Sequence, residues 1–165
     1  MPTPVAIAVV SWNTREALDS CLRSIEPEVR AGTATVTVVD NASVDGTPDF
    51  VRGQFPWAEL IASPSNLGFG AAVNLAAGRS SAPWIAAANA DIELTPGALP
   101  ALLAAGDRDP SAGILAPRLI LPDGSTQHSV HPFPTLGLTL AFNLGLGGLF
   151  PALAERLALQ GHWNP

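Results

Sequence analysis

Apolar positions gather in short runs, each closing on a small polar cluster. Val5–Val10 is a nearly continuous apolar run rich in β-branched residues, which predicts a strand covered on both faces. It opens into Ser11-Trp12-Asn13. Asn13 and Glu16 have the spacing of a capping box, and Ala17, Leu18, Cys21, Leu22 and Ile25 follow at helical spacing, so a helix is expected next. Thr35–Val39 repeats the strand pattern and ends at Asp40-Asn41-Ala42-Ser43, after which Thr47-Pro48 places a capping residue before a helix-starting proline. A weaker strand over Glu59–Ala62 leads to Ser65-Asn66-Leu67-Gly68-Phe69-Gly70 and an Ala-rich helix ending near Gly78. Trp84–Ala88 reads as a further strand running into Asn89-Ala90-Asp91, and Thr95-Pro96 announces a helix to about Ala105.

Successive strand–helix units of this kind predict an α/β fold: a mainly parallel sheet flanked by helices on both faces. Ligands in such sheets bind at the carboxyl ends of the strands, where every polar cluster named above falls. After Asp109-Pro110 the pattern changes. Gly113–Leu121 reads as a strand, Asp123-Gly124 as a turn and Thr126–Val130 as a returning strand, which together make a hairpin. Thr135–Ala154 then carries no charge but contains Asn143, several glycines and Pro151. It meets the length of a membrane span, yet its glycines and proline suit a stable helix poorly. A segment lying on a membrane surface, or packed on further protein, is the expectation. The chain therefore divides into a domain over residues 1–134 and an apolar segment over 135–165.

Composition narrows the ligand. A formal charge of -6 at pH 7, with a pI near 4.8, excludes the basic footprint of nucleic-acid binding. The 8 basic residues are all Arg, so an anionic ligand would be held by Arg, backbone amides or a metal ion, and a Walker-type phosphate loop is excluded. The single cysteine, Cys21, excludes an intrachain disulfide and a Cys-rich zinc site; it is expected to be a buried helix residue. The first residues lack the pattern of a signal peptide, which leads to the expectation of a cytoplasmic protein.

The candidate chemistry lies in three clusters. In the first, Ser11 and Asn13 follow one strand, while Asp40 and Ser43 follow the next. A carboxylate there can accept the imide N–H of a pyrimidine, with small polar groups around the ribose and phosphate; the same residues also serve as caps for the following loop and helix. In the second, Asn66, Gly68, Gly70 and Asn74 allow close backbone approach to a ligand, or form a glycine-rich turn with a capping Asn. This Gly-x-Gly lacks the third glycine of the dinucleotide fingerprint and follows the third strand, which argues against a nicotinamide oxidoreductase. In the third, Asn89 and Asp91 leave the fourth strand. One well-placed Asp suffices from the protein for a hard cation that also binds two phosphates, and an Asp capping a loop is the alternative.

In order and placement these clusters resemble the family 2 glycosyltransferases of GT-A fold, particularly their rhamnosyltransferase-like members. The matching motifs are Ser11-Trp12-Asn13, Asp40–Gly46 (Asp-Asn-x-Ser-x-Asp-Gly), Asn66–Asn74 and the metal motif Asn89-Ala90-Asp91; the stretch from Pro122-Asp123-Gly124-Ser125 to Pro134-Thr135 is also similar. The resemblance implies that Asp40 contacts the base and that Asn66, Gly68 and Asn74 shape the nucleotide pocket. Asn89 would face the ribose or donor sugar, and Asp91 would hold Mg2+ or Mn2+ against the diphosphate. The implied reaction is inverting transfer of a sugar, rhamnose among the candidates, from a dTDP- or UDP-linked donor to a glycan or lipid-linked acceptor at the inner face of the membrane. The family's catalytic base and second acidic motif come later and are not found in this sequence. Glu93 is expected to be a spare surface carboxylate; His128 and His131 are candidate phosphate or acceptor contacts, with solvent-facing histidines the favoured reading, and Arg79 and Arg118 are candidate anion contacts without a motif. The chain is therefore expected to be the donor-binding part, stopping before an acceptor-binding half, with self-association through the face so exposed. The alternative is an isolated nucleotide- and metal-binding module without turnover.

Overall fold

The computed structural model describes residues 4–127, in two compact units divided after Leu115. The first unit runs β1 (Val5–Ser11), α1 (Arg15–Arg30), β2 (Ala34–Asp40), α2 (Thr47–Gln54), β3 (Glu59–Ala62), α3 (Phe69–Ala77), β4 (Trp84–Asn89) and α4 (Ala98–Arg108). The strands form one parallel sheet in the order β3-β2-β1-β4. The order reverses at β1, so the crevice expected of a doubly wound sheet lies at the carboxyl ends of β1 and β4. The parallel α/β expectation is met.

Side-chain alternation in β1 explains why helices cover both faces. Val5, Ile7 and Val9 pack with Leu18, Cys21, Leu22 and Ile25 of α1, Val51 of α2 and Leu99 of α4. Ala8 and Val10 point the other way, to Val39 and to Ala72 and Ala76 of α3. Small alanines on both strand and helix let α3 settle closely against the sheet. At the edge of the sheet among the described residues, β4 alternates instead: Trp84, Ala86 and Ala88 join the first core, while Ile85 is 40% exposed and Ala87 and Asn89 also face out. Gly106 of α4 lies against the Trp84 ring, where a Cβ would come within 2.8 Å of the indole. Cys21 is fully buried within α1, as expected.

Three helix starts differ from their expected form. Thr14, without a side-chain cap bond, begins α1; Asn13 does not cap it, because Asn13 adopts a left-handed backbone (φ 54°) and bonds the neighbouring loop. Gly46, not Thr47, caps α2, and Thr47 is its first residue. Left-handed Gly97 (φ 82°) closes a turn in which the Ala98 N–H donates to the Thr95 carbonyl, delaying α4 until after Pro96.

Within the second unit, Ile120 and Thr126 form an antiparallel bridge around a tight turn at Asp123-Gly124, with Gly124 at φ 82°. The Gln127 N–H donates to the Leu119 carbonyl at 2.9 Å. The hairpin is present, but the strand expected over Gly113–Leu121 reduces to this short pairing. Pro117 supplies no N–H, and these residues are almost all exposed. The rest of the returning strand (128–130), His128, His131, the apolar Thr135–Ala154 segment and the division at residue 134 lie outside the described residues. Among the described residues, no helix is long and apolar enough to cross a membrane.

Candidate functional site

The loops after β1 and β2 are knitted together by side chains. Ser11 is opposite Asp40 in the strand register, and both are 1% exposed. Asp40 Oδ2 accepts the Ser43 N–H at 3.0 Å, whereas Oδ1 is buried without a partner among the described residues. The Asn13 N–H donates to Ser43 Oγ at 2.8 Å, and Asn13 Oδ1 accepts the Val44 N–H at 2.8 Å. These bonds hold Ala42 in a left-handed conformation (φ 63°), which costs about 1–2 kcal/mol for a residue with a Cβ.

Asp45 ties this loop to both neighbouring helices. It accepts the Arg15 N–H at the start of α1 (3.1 Å) and both the N–H and hydroxyl of Thr47 at the start of α2 (3.1 and 2.6 Å). Burial pushes its carboxyl up, but the bonds from Thr47 and the backbone amides together outweigh this and leave it below the usual carboxylate range. Asn41, 3% exposed, accepts the Leu67 N–H at 3.3 Å and so reaches the loop after β3. Asn41 and Asp45 were not among the site residues expected from the sequence. Asp45 stands two residues before Thr47, the spacing of an Asx turn, and that signal was present within Asp40–Gly46.

After β3, Asn66 Oδ1 accepts the Gly68 N–H at 2.8 Å. Gly68 (φ 77°, ψ 165°) lies in a region open essentially to glycine alone, which explains the residue at that position. Among the described residues, an added Cβ at Gly70 would meet nothing within 4 Å, so they leave the start of α3 open at this position. Asn74 is exposed one helical turn further on.

The segment leaving β4 is positioned by apolar residues. Ala90 is buried and Ile92 and Leu94 pack against the core, so the intervening Asp91 and Glu93 are exposed. The Leu94 N–H donates to Ser24 Oγ of α1 at 2.9 Å, and Cys21 Sγ lies 3.9 Å from the Asn89 carbonyl. Burial foremost, with the negative charges of Asp91 and Glu93, pushes the Cys21 thiol up to about 12. Cys21 therefore stays a protonated thiol, beside two hard carboxylates.

Strand register levels these pieces: Ser11 is opposite Asp40, and Asn89 is opposite Val10. At roughly 4.8 Å per strand, Asp40 and Asn89 stand about 10 Å apart across the crevice. Ser11, Asn13, Asp40, Ser43, Asn66, Gly68, Asn89 and Asp91 thus share the carboxyl edge, with Asn74 within α3 behind it. Arg79 does not join them; it follows α3 at the amino edge and pairs with Glu59 at 2.7 Å. Arg118 is exposed in the second unit. No three His, Cys, Asp or Glu among the described residues form a metal cluster, so a cation here would need oxygens from its ligand as well as from Asp91.

Residues 6–150 match the family model described as Glycosyl transferase family 2. The chain is 38% identical over 113 residues to an N-acetylglucosaminyl-diphospho-decaprenol L-rhamnosyltransferase of Mycobacterium tuberculosis, a match covering 62% of this chain and 37% of the relative. It thus spans little more than a third of the length of the curated relatives it matches. Its fold is similar to that of the mannosyltransferase PcManGT from Pyrobaculum calidifontis in complex with GDP-Man and Mn2+, with a TM-score of 0.64 and 24% identity over 74% of this chain and 39% of the other. It is also similar to S. aureus TarS (1–349) in complex with UDP-GlcNAc, with a TM-score of 0.56 and 17% identity over 73% and 41% of the two chains.

Proposed function

Since the chain belongs to glycosyl transferase family 2, we propose that it is the donor-binding part of an inverting enzyme that transfers a sugar from a nucleoside diphosphate to a glycan or lipid-linked acceptor. The observation that carries this reading is Asp40 Oδ1, a buried acceptor at the carboxyl edge without a partner among the described residues. Leaving such an atom unsatisfied costs about 1–3 kcal/mol, and the imide N–H of uracil or thymine would satisfy it. Asn13 and Ser43 brace the loop beside it, while Ser11, Asn66, Gly68, Asn74 and Asn89 border the space for ribose, diphosphate and donor sugar. The name of the mycobacterial relative supports rhamnose as the sugar and a lipid-diphosphate-linked acceptor; a location at the cytoplasmic face of the membrane is part of the proposal. Contact with the membrane surface and self-association belong to the same reading.

The donor set fits Mg2+ or Mn2+. Asp91 offers an exposed hard oxygen, Glu93 adds negative charge, and protonated Cys21 does not compete as a soft ligand. When bound, the ion stabilises negative charge on the departing diphosphate. This chain's own residues hold the base through Asp40, admit the phosphates over the open backbone at Gly68 and Gly70, and present the sugar toward the β4 side. Among the described residues the spare carboxylate is Glu93, and no general base is assigned. That observation favours a second reading, a nucleotide- and metal-binding module without turnover of its own.

Calorimetry with UDP and dTDP, with and without Mn2+, tests the proposal. Asp91→Ala is expected to abolish the metal dependence of binding, and Asp40→Ala to weaken binding with or without metal. An unchanged metal response in Asp91→Ala would remove the role of that residue. Failure of both nucleotides to bind with metal present would remove the donor pocket itself.

A further inference from the structure

The opposite, amino edge of the sheet carries a second concavity, of about 520 Å³. It opens because β3 is short. Its first residue, Glu59, pairs with Thr37, so Ala34–Val36 of β2 continue without a strand partner on that side. Trp57 lines one wall, its ring held edge-on to Phe55 with centroids 5.7 Å apart. The link from α3 to β4, with Arg79, Ser80 and Ser81, lines the cavity as well. Arg79 Nη1 lies 2.7 Å from one Glu59 oxygen, and the Thr37 hydroxyl donates to the other at 3.3 Å. Both charged side chains remain about half exposed and keep further hydrogen-bonding capacity.

Charge balance selects the ligand. Inorganic phosphate would gain from Arg79 but meet the carboxylate of Glu59, and a cation would meet the converse. A neutral polyol suffers neither. Each of its hydroxyls both donates and accepts, so a carboxylate–guanidinium pair ringed by Thr and Ser hydroxyls can satisfy adjacent ones, while the C–H face of a sugar ring packs on an indole. The volume falls within the usual range of small-molecule pockets. We infer that this concavity binds a neutral sugar residue of a glycan. Its lining at Thr35–Thr37 lies three to five residues before Asp40, about 10–16 Å from the carboxyl edge at about 3.3 Å per residue, so it grips a sugar apart from any ligand held at that edge. The inference rests on the pocket alone and stands independently of the donor reading.

Amide and indole NMR of the full 165-residue chain tests it, with the methyl glycosides of rhamnose, mannose and N-acetylglucosamine as probes and inorganic phosphate as control. The expected result is saturable shifts at the Trp57 indole and around Thr35–Thr37 and Ser80–Ser81 for at least one glycoside, with a Kd of order 1 mM. Saturating UDP should leave them in place. Glu59→Gln and Arg79→Gln, at exposed positions that spare the fold, are each expected to weaken the glycoside about tenfold without altering nucleotide affinity. Absence of saturable shifts with every glycoside overturns the inference. So do glycoside shifts confined to the carboxyl edge, or tighter binding of phosphate at the same residues.

Discussion

The two flanks of the carboxyl edge are built by different means. On the β2 side, Asn13, Asp40, Asn41, Ser43 and Asp45 tie the loops after β1, β2 and β3 to one another through side-chain hydrogen bonds to backbone N–H groups. On the β4 side, Ala90, Ile92 and Leu94 anchor the segment by packing, and Asp91 and Glu93 are left in solvent. Under the proposed donor-binding role, the difference would serve two kinds of recognition. Reading a base requires an acceptor fixed in direction, and a polar lattice fixes it. Holding a diphosphate through an ion requires charge with room to adjust, and an exposed carboxylate on an apolar anchor provides that.

The sharpest break of this contrast is Asp40→Asn. It keeps the shape and removes the charge of the unpartnered acceptor. Nucleotide affinity is expected to fall about 10–100-fold, the range of a hydrogen bond to a charged group, while Tm stays level or rises. Calorimetry beside thermal unfolding checks the pair. A lower Tm with unchanged affinity would make Asp40 a structural brace only.

Asp45→Ala tests the lattice without touching its recognition atom. It removes acceptors for Arg15 and Thr47 and is expected to cost about 1–2 kcal/mol of stability at neutral pH. The folded-state pKa of Asp45 is lowered. Its stabilisation is therefore fully present above the unfolded carboxylate value of about 4 and is lost as pH falls through the lower folded value. Denaturant unfolding of parent and variant should converge in acid; a gap constant down to pH 2 would show that the carboxylate charge does not matter.

Strand positions were legible from short apolar runs that each close on a polar cluster, β-branched in β1 and β2 and merely apolar in β3 and β4: Glu59–Ala62 was read to the residue, and β1, β2 and β4 each needed only one residue more at one end or both. Helix starts were less legible. Asn13 and Thr47 carry capping chemistry, but whether a side chain caps its own helix or braces a loop some thirty residues away depends on tertiary neighbours that local spacing does not encode. For the same reason the clusters were visible as polar islands, while the roles of Asn41 and Asp45 were not. Arg79 looked available for an anion until β3 brought Glu59 beside it.

The smallest expected effect separates the flanks most finely, because each contains a left-handed residue. On the β4 side Gly97 (φ 82°) adopts this conformation without strain; on the β2 side, beside left-handed Asn13 and Gly46, Ala42 (φ 63°) does not. The bonds around Ala42 must therefore hold its backbone against a cost that glycine would not incur. Ala42→Gly relieves that cost but enlarges the freedom of the unfolded chain, so the net expectation is a gain of about 0.5–1 kcal/mol. If the lattice alone sets the geometry of Asp40, nucleotide affinity should not change with it. Stabilisation accompanied by weaker nucleotide binding would show instead that the strained alanine itself helps to hold the acceptor in place, and that the β2 side depends on stiffness beyond its hydrogen bonds.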